Sequence, residues 1–343
     1  MKRTQIAMAA VALVASSAAL ADVTVSGRFD YGYASDNKAG GGLTGIRGGN
    51  LAPNFLNVTG SEDLGGGMKG YFNWVNLVTN NGTLVNANAN AGISTGAAGI
   101  KLGRVTDDFL TGVLAFDVTG GGNMGSAVSP ILQFGATGAF HSNAIQLDAS
   151  AAGVNFGATY IGQDSASALG FNTAGTDGVA GAYAGAKGDY SVKANTDVGG
   201  IRVGAAYASR STAAASSTAT ANTLAAKSHQ FIGVRTDLGS LTVNVNYMKL
   251  NTTTVTGANG SYPLADAVTA TVGYYNYADS TTSANAGTLT SVGLKYSLSK
   301  STLAFANYEK VTGGAAAMRG NVDNGANSTT ARGIAIFGIA KSF

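Results

Sequence analysis

The sequence predicts an all-β fold: a closed antiparallel transmembrane β-barrel of sixteen strands. Three observations predict it. Segments of mostly ten to twelve residues alternate apolar and polar side chains, tight turns alternate with longer loops between them, and an export-type N-terminus precedes a chain with no later helical span.

The alternation is clearest at the start. Val23, Val25, Phe29, Tyr31 and Tyr33 interleave with Thr24, Ser26, Arg28 and Asp30. Neighbours on a strand point to opposite faces, so one face is apolar and the other polar. Ile201, Val203, Ala205 and Tyr207 repeat the pattern against Arg202 and Arg210. So do Leu241, Val243, Val245 and Tyr247, then Val268, Ala270, Val272 and Tyr274, then Val292, Leu294 and Tyr296. The polar faces combine charges and amides with Gly and Ala, which suits a hydrated interior, and the apolar faces then meet lipid. Closing the ring pairs every backbone amide, which a bilayer demands. Tyr31, Tyr33, Tyr160, Tyr207, Tyr247, Tyr274 and Tyr296 fall near strand ends, where interfacial girdles sit.

Short connections are expected at 63–67, 97–99, 151–153, 198–200, 238–240, 264–267 and 298–301. Longer ones are expected at 35–53, 80–86, 107–137, 164–187, 210–227, 280–287 and 313–330. Strands are expected to begin near residues 23, 54, 68, 87, 99, 138, 153, 188, 200, 228, 240, 254, 266, 288, 301 and 331. The twelfth has the weakest signal, because Thr253 to Gly260 is nearly all small or polar. Residues 211–226 are Ser, Thr and Ala almost throughout and read as a low-complexity loop.

Residues 1–21 read as a cleaved signal peptide, with 22–343 as the barrel. Lys2 and Arg3 precede the apolar run Ile6 to Ala15, and Ala19-Leu20-Ala21 supplies a small–x–small cleavage site. Of the 21 basic residues, Lys2 and Arg3 leave with that segment, so 19 face 18 acidic ones. That balance gives no basic stripe and argues against nucleic acid as a partner. The absence of Cys excludes disulfides and thiolate metal sites, and no cofactor or metal is expected.

Several motifs invite sharper readings. Gly120-Gly121-Gly122-Asn123-Met124-Gly125 fits G-x-G-x-x-G, but Ser126 to Pro130 is no helix, and a dinucleotide site needs one there. His141 and His229 are the only histidines, and no nucleophile–base–orienter set assembles around them, so no enzyme is expected. Asp107-Asp108 could contribute to a Ca²⁺ site but is far short of the 6–8 oxygens required. Solvated loop acids are the plainer reading.

Four segments resemble one family. Gly60-Ser61-Glu62-Asp63-Leu64-Gly65-Gly66-Gly67-Met68-Lys69 is similar to the turn after the second strand of general Gram-negative porins, especially those of β-proteobacteria. Lys101-Leu102-Gly103-Arg104 resembles the fifth-strand segment leading into their pore-narrowing loop, and Asn143-Ala144-Ile145-Gln146-Leu147-Asp148 the strand after it. Tyr296-Ser297-Leu298-Ser299-Lys300-Ser301-Thr302 resembles a late tight turn, and the terminal Phe343 resembles the aromatic read by the barrel-assembly machinery.

The resemblance implies a homotrimer in the outer membrane, each barrel a passive, weakly selective diffusion channel for small hydrophilic solutes and ions. It implies that the third external loop, 107–137, folds inward and opposes acids to a basic wall. On that pattern the constriction residues are Arg28, Arg104 and His141 against Asp107, Asp108 and Asp117, with Asp117 facing the two arginines. Arg104 shares a face with Ile100 and Leu102, so it reaches the lumen only if the strand breaks at Gly103. Phe55 and Thr59 stand where the family has basic residues, and Asp117 to Gly121 replaces the usual Pro-Glu-Phe-Gly-Gly. Lys69, Lys101, Lys193, Arg202, Arg235 and Lys295 fall on the polar faces and line the pore, as does Asp237. A substrate-specific channel of the same architecture and a secreted structural or adhesive β-protein are the competing readings.

Overall fold

The computed structural model describes residues 22–37, 44–78, 82, 84–119, 140–162, 188–210, 228–250, 253–279, 286–313 and 332–343. The signal-peptide segment, the Gly-rich run at 120–125 and the low-complexity loop lie outside these residues.

The strands are β1 (Asp22–Asp36), β2 (Gly45–Gly48), β3 (Phe55–Gly65), β4 (Met68–Val78), β5 (Leu84–Ser94), β6 (Ala98–Thr106), β7 (Phe140–Ala151) and β8 (Val154–Ile161). They continue with β9 (Asp189–Val198), β10 (Ile201–Ser209), β11 (Ser228–Leu238), β12 (Leu241–Leu250), β13 (Thr253–Ala265), β14 (Val268–Asp279), β15 (Gly287–Ser299), β16 (Thr302–Val311) and β17 (Arg332–Ser342). A single helix in the described residues, α1 (Asp108–Leu114), follows β6. Each strand from β3 onward pairs antiparallel with the next, and β17 returns to β1, so the sheet closes without an edge. Sixteen strands make the wall. The seventeenth, β2, extends the second position: β1 pairs with β3 over residues 22–28 and with β2 over 31–34.

Closure by β17 reaches the last residue. The Phe343 N–H donates to Gly27 O at 3.1 Å and Phe343 O accepts from Gly27 N at 3.0 Å. The Phe343 ring stacks near Phe29, 6.2 Å between centroids.

The apolar rows face outward as the alternation requires. Val25, Val245 and Val272 are 57%, 56% and 53% exposed, a burial pattern that only lipid contact satisfies. The seven girdle tyrosines lie on the same face. The polar rows face inward, and there the chain departs from a simple wet wall. Two inward patches are apolar. Ala34, Phe305, Ile334, Ile336 and Ala340 form one on β1, β16 and β17, covered by Leu51. Phe231, Met248, Val255, Tyr275 and Tyr277 contribute to the other, covered by α1.

One expectation is corrected here: the connection 35–53 contains β2 and a folded turn. The twelfth segment, weakest in the sequence, is a strand as expected, the thirteen-residue β13. Its small residues have a packing reason: a Cβ at Gly257 would collide with the inward Tyr275 ring. The tight turns sit where expected, several with positive-φ glycines such as Gly66 (φ +62°) and Gly239 (φ +63°).

Candidate pore constriction

Residues 107–119 run over inward-facing side chains of the wall. Asp107 caps α1, accepting the Phe109 N–H at 2.8 Å. Its other carboxylate oxygen accepts from Arg210 Nη2 at 2.6 Å and Ser191 Oγ at 3.0 Å, and lies 3.2 Å from His141 Nε2. Arg210 follows β10, Ser191 lies on β9 and His141 on β7, so one carboxylate ties α1 to three wall positions. Burial alone would raise the Asp107 pKa. Arg210, with help from His141 and Ser191, wins and holds the carboxyl well below the usual carboxylate range.

Asp108 makes a second tie. It accepts from Thr159 Oγ1 at 2.7 Å and pairs with Lys193 Nζ at 2.9 Å. Lys193 also donates to Thr111 Oγ1 at 2.9 Å, and Gln146 donates to Thr159 Oγ1 at 2.9 Å. Phe109, Leu110, Val113 and Phe116 then press onto the inward apolar patch. Glycines make the bed for Phe116: a Cβ at Gly204 or Gly233 would sit 2.6 or 2.7 Å from its ring. Beyond the helix the Val118 N–H donates to Asn259 Oδ1 at 3.2 Å on β13, and Lys295 Nζ on β15 donates to Thr119 O at 2.6 Å.

This geometry redistributes the expected constriction residues. Asp107, Asp108 and His141 are at most 2% exposed, so they anchor the segment and present no charge to water. The solvated-acid reading of Asp107-Asp108 is corrected with them. A Ca²⁺ role does not fit either, because Arg210 and Lys193 occupy the oxygens a cation would need. No cluster of metal-binding residues occurs among the described residues. Asp117 Oδ1 accepts from Thr119 N and Thr119 Oγ1 at 2.8 and 2.6 Å, and the carboxylate lies in the electrostatic neighbourhood of Lys295, as does Arg28.

Arg104 is a second correction. Gly103 takes φ +126° and the register against β7 slips there, with Asn143 (φ +53°) on the longer side. The pairing with β5 stays regular, however. Arg104 stays opposite Ala89, which pairs with Trp74, and both lie on the outward row. Its guanidinium donates to Asn86 O at 2.9 Å and Ser142 Oγ at 2.8 Å, tying β5 to β7.

The expected lining residues lie on inward rows. Lys101 pairs with Asp148 at 3.1 Å, and Lys193 is 4.0 Å from the same carboxylate. Arg202 grips Asp197 with two bonds, at 3.0 and 2.9 Å, and is in register with Arg235. Lys69 stands opposite Asp63. Sequence reasoning missed Arg210, Ser191, Thr159 and His229, the last fully buried with its ring 5.6 Å from Phe109. Arg210 was visible as the end of a polar row. Its partner was not, because Asp107 lies 103 residues away.

The family model for Gram-negative porins matches residues 7–316, nearly the whole chain. The chain belongs to the Gram-negative porin family. No curated protein matches it. Among solved structures, this porin is similar to an anion-selective porin from Comamonas acidovorans, at 17% identity and TM-score 0.71, covering 94% of this chain and 100% of that one. It is also similar to the outer-membrane protein OmpT of Vibrio cholerae, at 13% identity and TM-score 0.65, covering 94% and 98%. A mutant of the Rh. blastica porin gives 16% identity and TM-score 0.64, covering 94% and 100%. These likenesses establish the fold. With the family they make this porin a passive channel of the outer membrane.

Proposed function

We propose that this porin is a weakly selective, non-enzymatic diffusion channel for small hydrophilic solutes and ions, narrowed by residues 107–119. What carries the reading is the tethering of residues 107–119 to inward side chains from β7 to β15. Those partners lie on inward rows of the wall, which supports a path for residues 107–119 on the lumen side of the barrel.

Weak selectivity follows from pairing. Lys101, Lys193 and Arg202 are largely neutralised by Asp148, Asp108 and Asp197. Where the segment ends, Arg28 and Lys295 are balanced by Asp117 and Asp30, so the residual preference is small. Residues 1–21 act as the signal peptide, Phe343 is read during barrel assembly, and the native particle is a homotrimer, the form in which OmpT of Vibrio cholerae is described. A planar-bilayer recording in asymmetric salt tests the reading. It should show three equal conductance steps per insertion and a reversal potential close to zero. A strongly ion-selective or non-conducting particle overturns it.

A further inference from the structure

Residues 49–54 interrupt the second wall position, between β2 and β3, and fold over the inward face of β1. Asp30 organises them. Its Oδ1 accepts the Asn50 N–H at 2.6 Å and Asn50 Nδ2 at 3.1 Å, and its Oδ2 accepts the N–H groups of Leu51 and Ala52 at 3.0 and 3.2 Å. The Asp30 backbone is bonded to the turn as well: its N–H donates to Asn54 Oδ1 at 2.6 Å, and its carbonyl accepts the Gly49 N–H at 3.1 Å. A buried carboxylate with four donors from one turn holds that turn in a single shape. The turn drops Leu51 onto the inward apolar patch of β16, β17 and β1. From the other side the 107–119 segment ends at Thr119, and Leu51 and Thr119 line one small cavity with Ser291, Lys295 and Asn307.

We propose that residues 49–54 are a second inward shelf that shares the pore constriction with the end of the 107–119 segment, and that Asp30 is the residue positioning it. The aperture is then framed from two sides. Arg28, 3.9 Å from Asp30, stands at the edge of the shelf with its side chain 22% exposed. Narrowing from this side also offsets the missing basic bulk at Phe55 and Thr59 on the adjoining strand. The proposal rests on the channel reading, which the conductance of the unaltered trimer tests separately.

Two variants test the shelf in the full-length trimer. D30N should insert with unchanged oligomer stability on heating but show higher single-channel conductance, greater open-channel noise and a larger sugar cut-off in liposome swelling. A folded D30N channel matching the parent in all three overturns the proposal. Should D30N fail to assemble, Ala52→Cys gives an independent answer, because the natural chain has no Cys and Ala52 is partly exposed. Adding a cationic methanethiosulfonate reagent to an open A52C channel should reduce its conductance in up to three steps, leaving the parent unaffected. Complete modification without a conductance loss places residue 52 off the solute path and overturns the shelf.

Discussion

Two segments of this porin fold over its inward wall, and they are held by opposite strategies. Residues 107–119 place their own acids, Asp107 and Asp108, onto cations and hydroxyls of the wall. At 49–54 the acid belongs to the wall, and the segment offers backbone N–H groups to it. In both, a leucine or phenylalanine then covers an apolar inward patch. The difference lies in what each hold requires. Side-chain pairing needs a partner from a distant strand, whereas backbone donation needs only that the turn lie above the acid. The first hold therefore depends on several side chains of the wall, while the second depends on one wall carboxylate, Asp30, and on the apolar contact of Leu51.

The comparison breaks hardest at Arg210. Arg210→Ala leaves Asp107 buried beside a cation that has gone, at a cost of about 3–5 kcal/mol. That loss is local to the segment. The barrel should still assemble, hydrogen exchange at residues 109–116 should accelerate sharply, and conductance should rise. Adding Asp107→Asn should restore part of the protection, which separates charge loss from lost packing. Unaltered exchange in R210A would mean that the apolar face of α1 holds the segment without the ion pair.

Leu51→Ala probes the other hold. Removing a buried leucine side chain costs about 2–5 kcal/mol, toward the lower end where the site can relax. The Asp30 bonds stay in place, so exchange should increase at residues 50–52 and leave 109–116 unchanged. Coupled changes at both segments would show that they act as one unit across their shared cavity.

Acid sharpens the contrast with the smallest effect. The folded Asp107 carboxyl has a depressed pKa. Its contribution is therefore fully present above the unfolded value of about 4 and is lost as pH falls through the folded value. Protection of residues 109–116 should hold through mildly acidic solution and decline only at strongly acidic pH. A decline already at pH ~6 would point to a histidine instead of Asp107.

Much of the wall was legible in advance. The expected strand starts lie within three residues of those observed, from Asp22 to Arg332. The inward placement of Arg28, Lys101, Lys193, Arg202 and Lys295 followed from alternation. The site was less legible. Asp107, Asp108 and His141 were expected as charges facing water, and all three are buried against partners. Arg104 was expected to swing inward at Gly103, yet the irregularity lies against β7 and leaves its pairing with Ala89 intact. Asp30 looked like one more polar residue on an alternating strand.

Alternation at period two is a property of neighbours along the chain, so residues such as Val23 to Tyr33 by themselves determined strand, face and turn positions. Whether an inward polar side chain meets water, a partner or a covering segment is decided only once the ring closes. Closure brings Asp107 to Arg210 across 103 residues, and sets Leu51 and Thr119 against one cavity. Burial then turns acids that read as pore charges into anchors, because a carboxylate removed from water is stable only beside the donors that the closed barrel supplies.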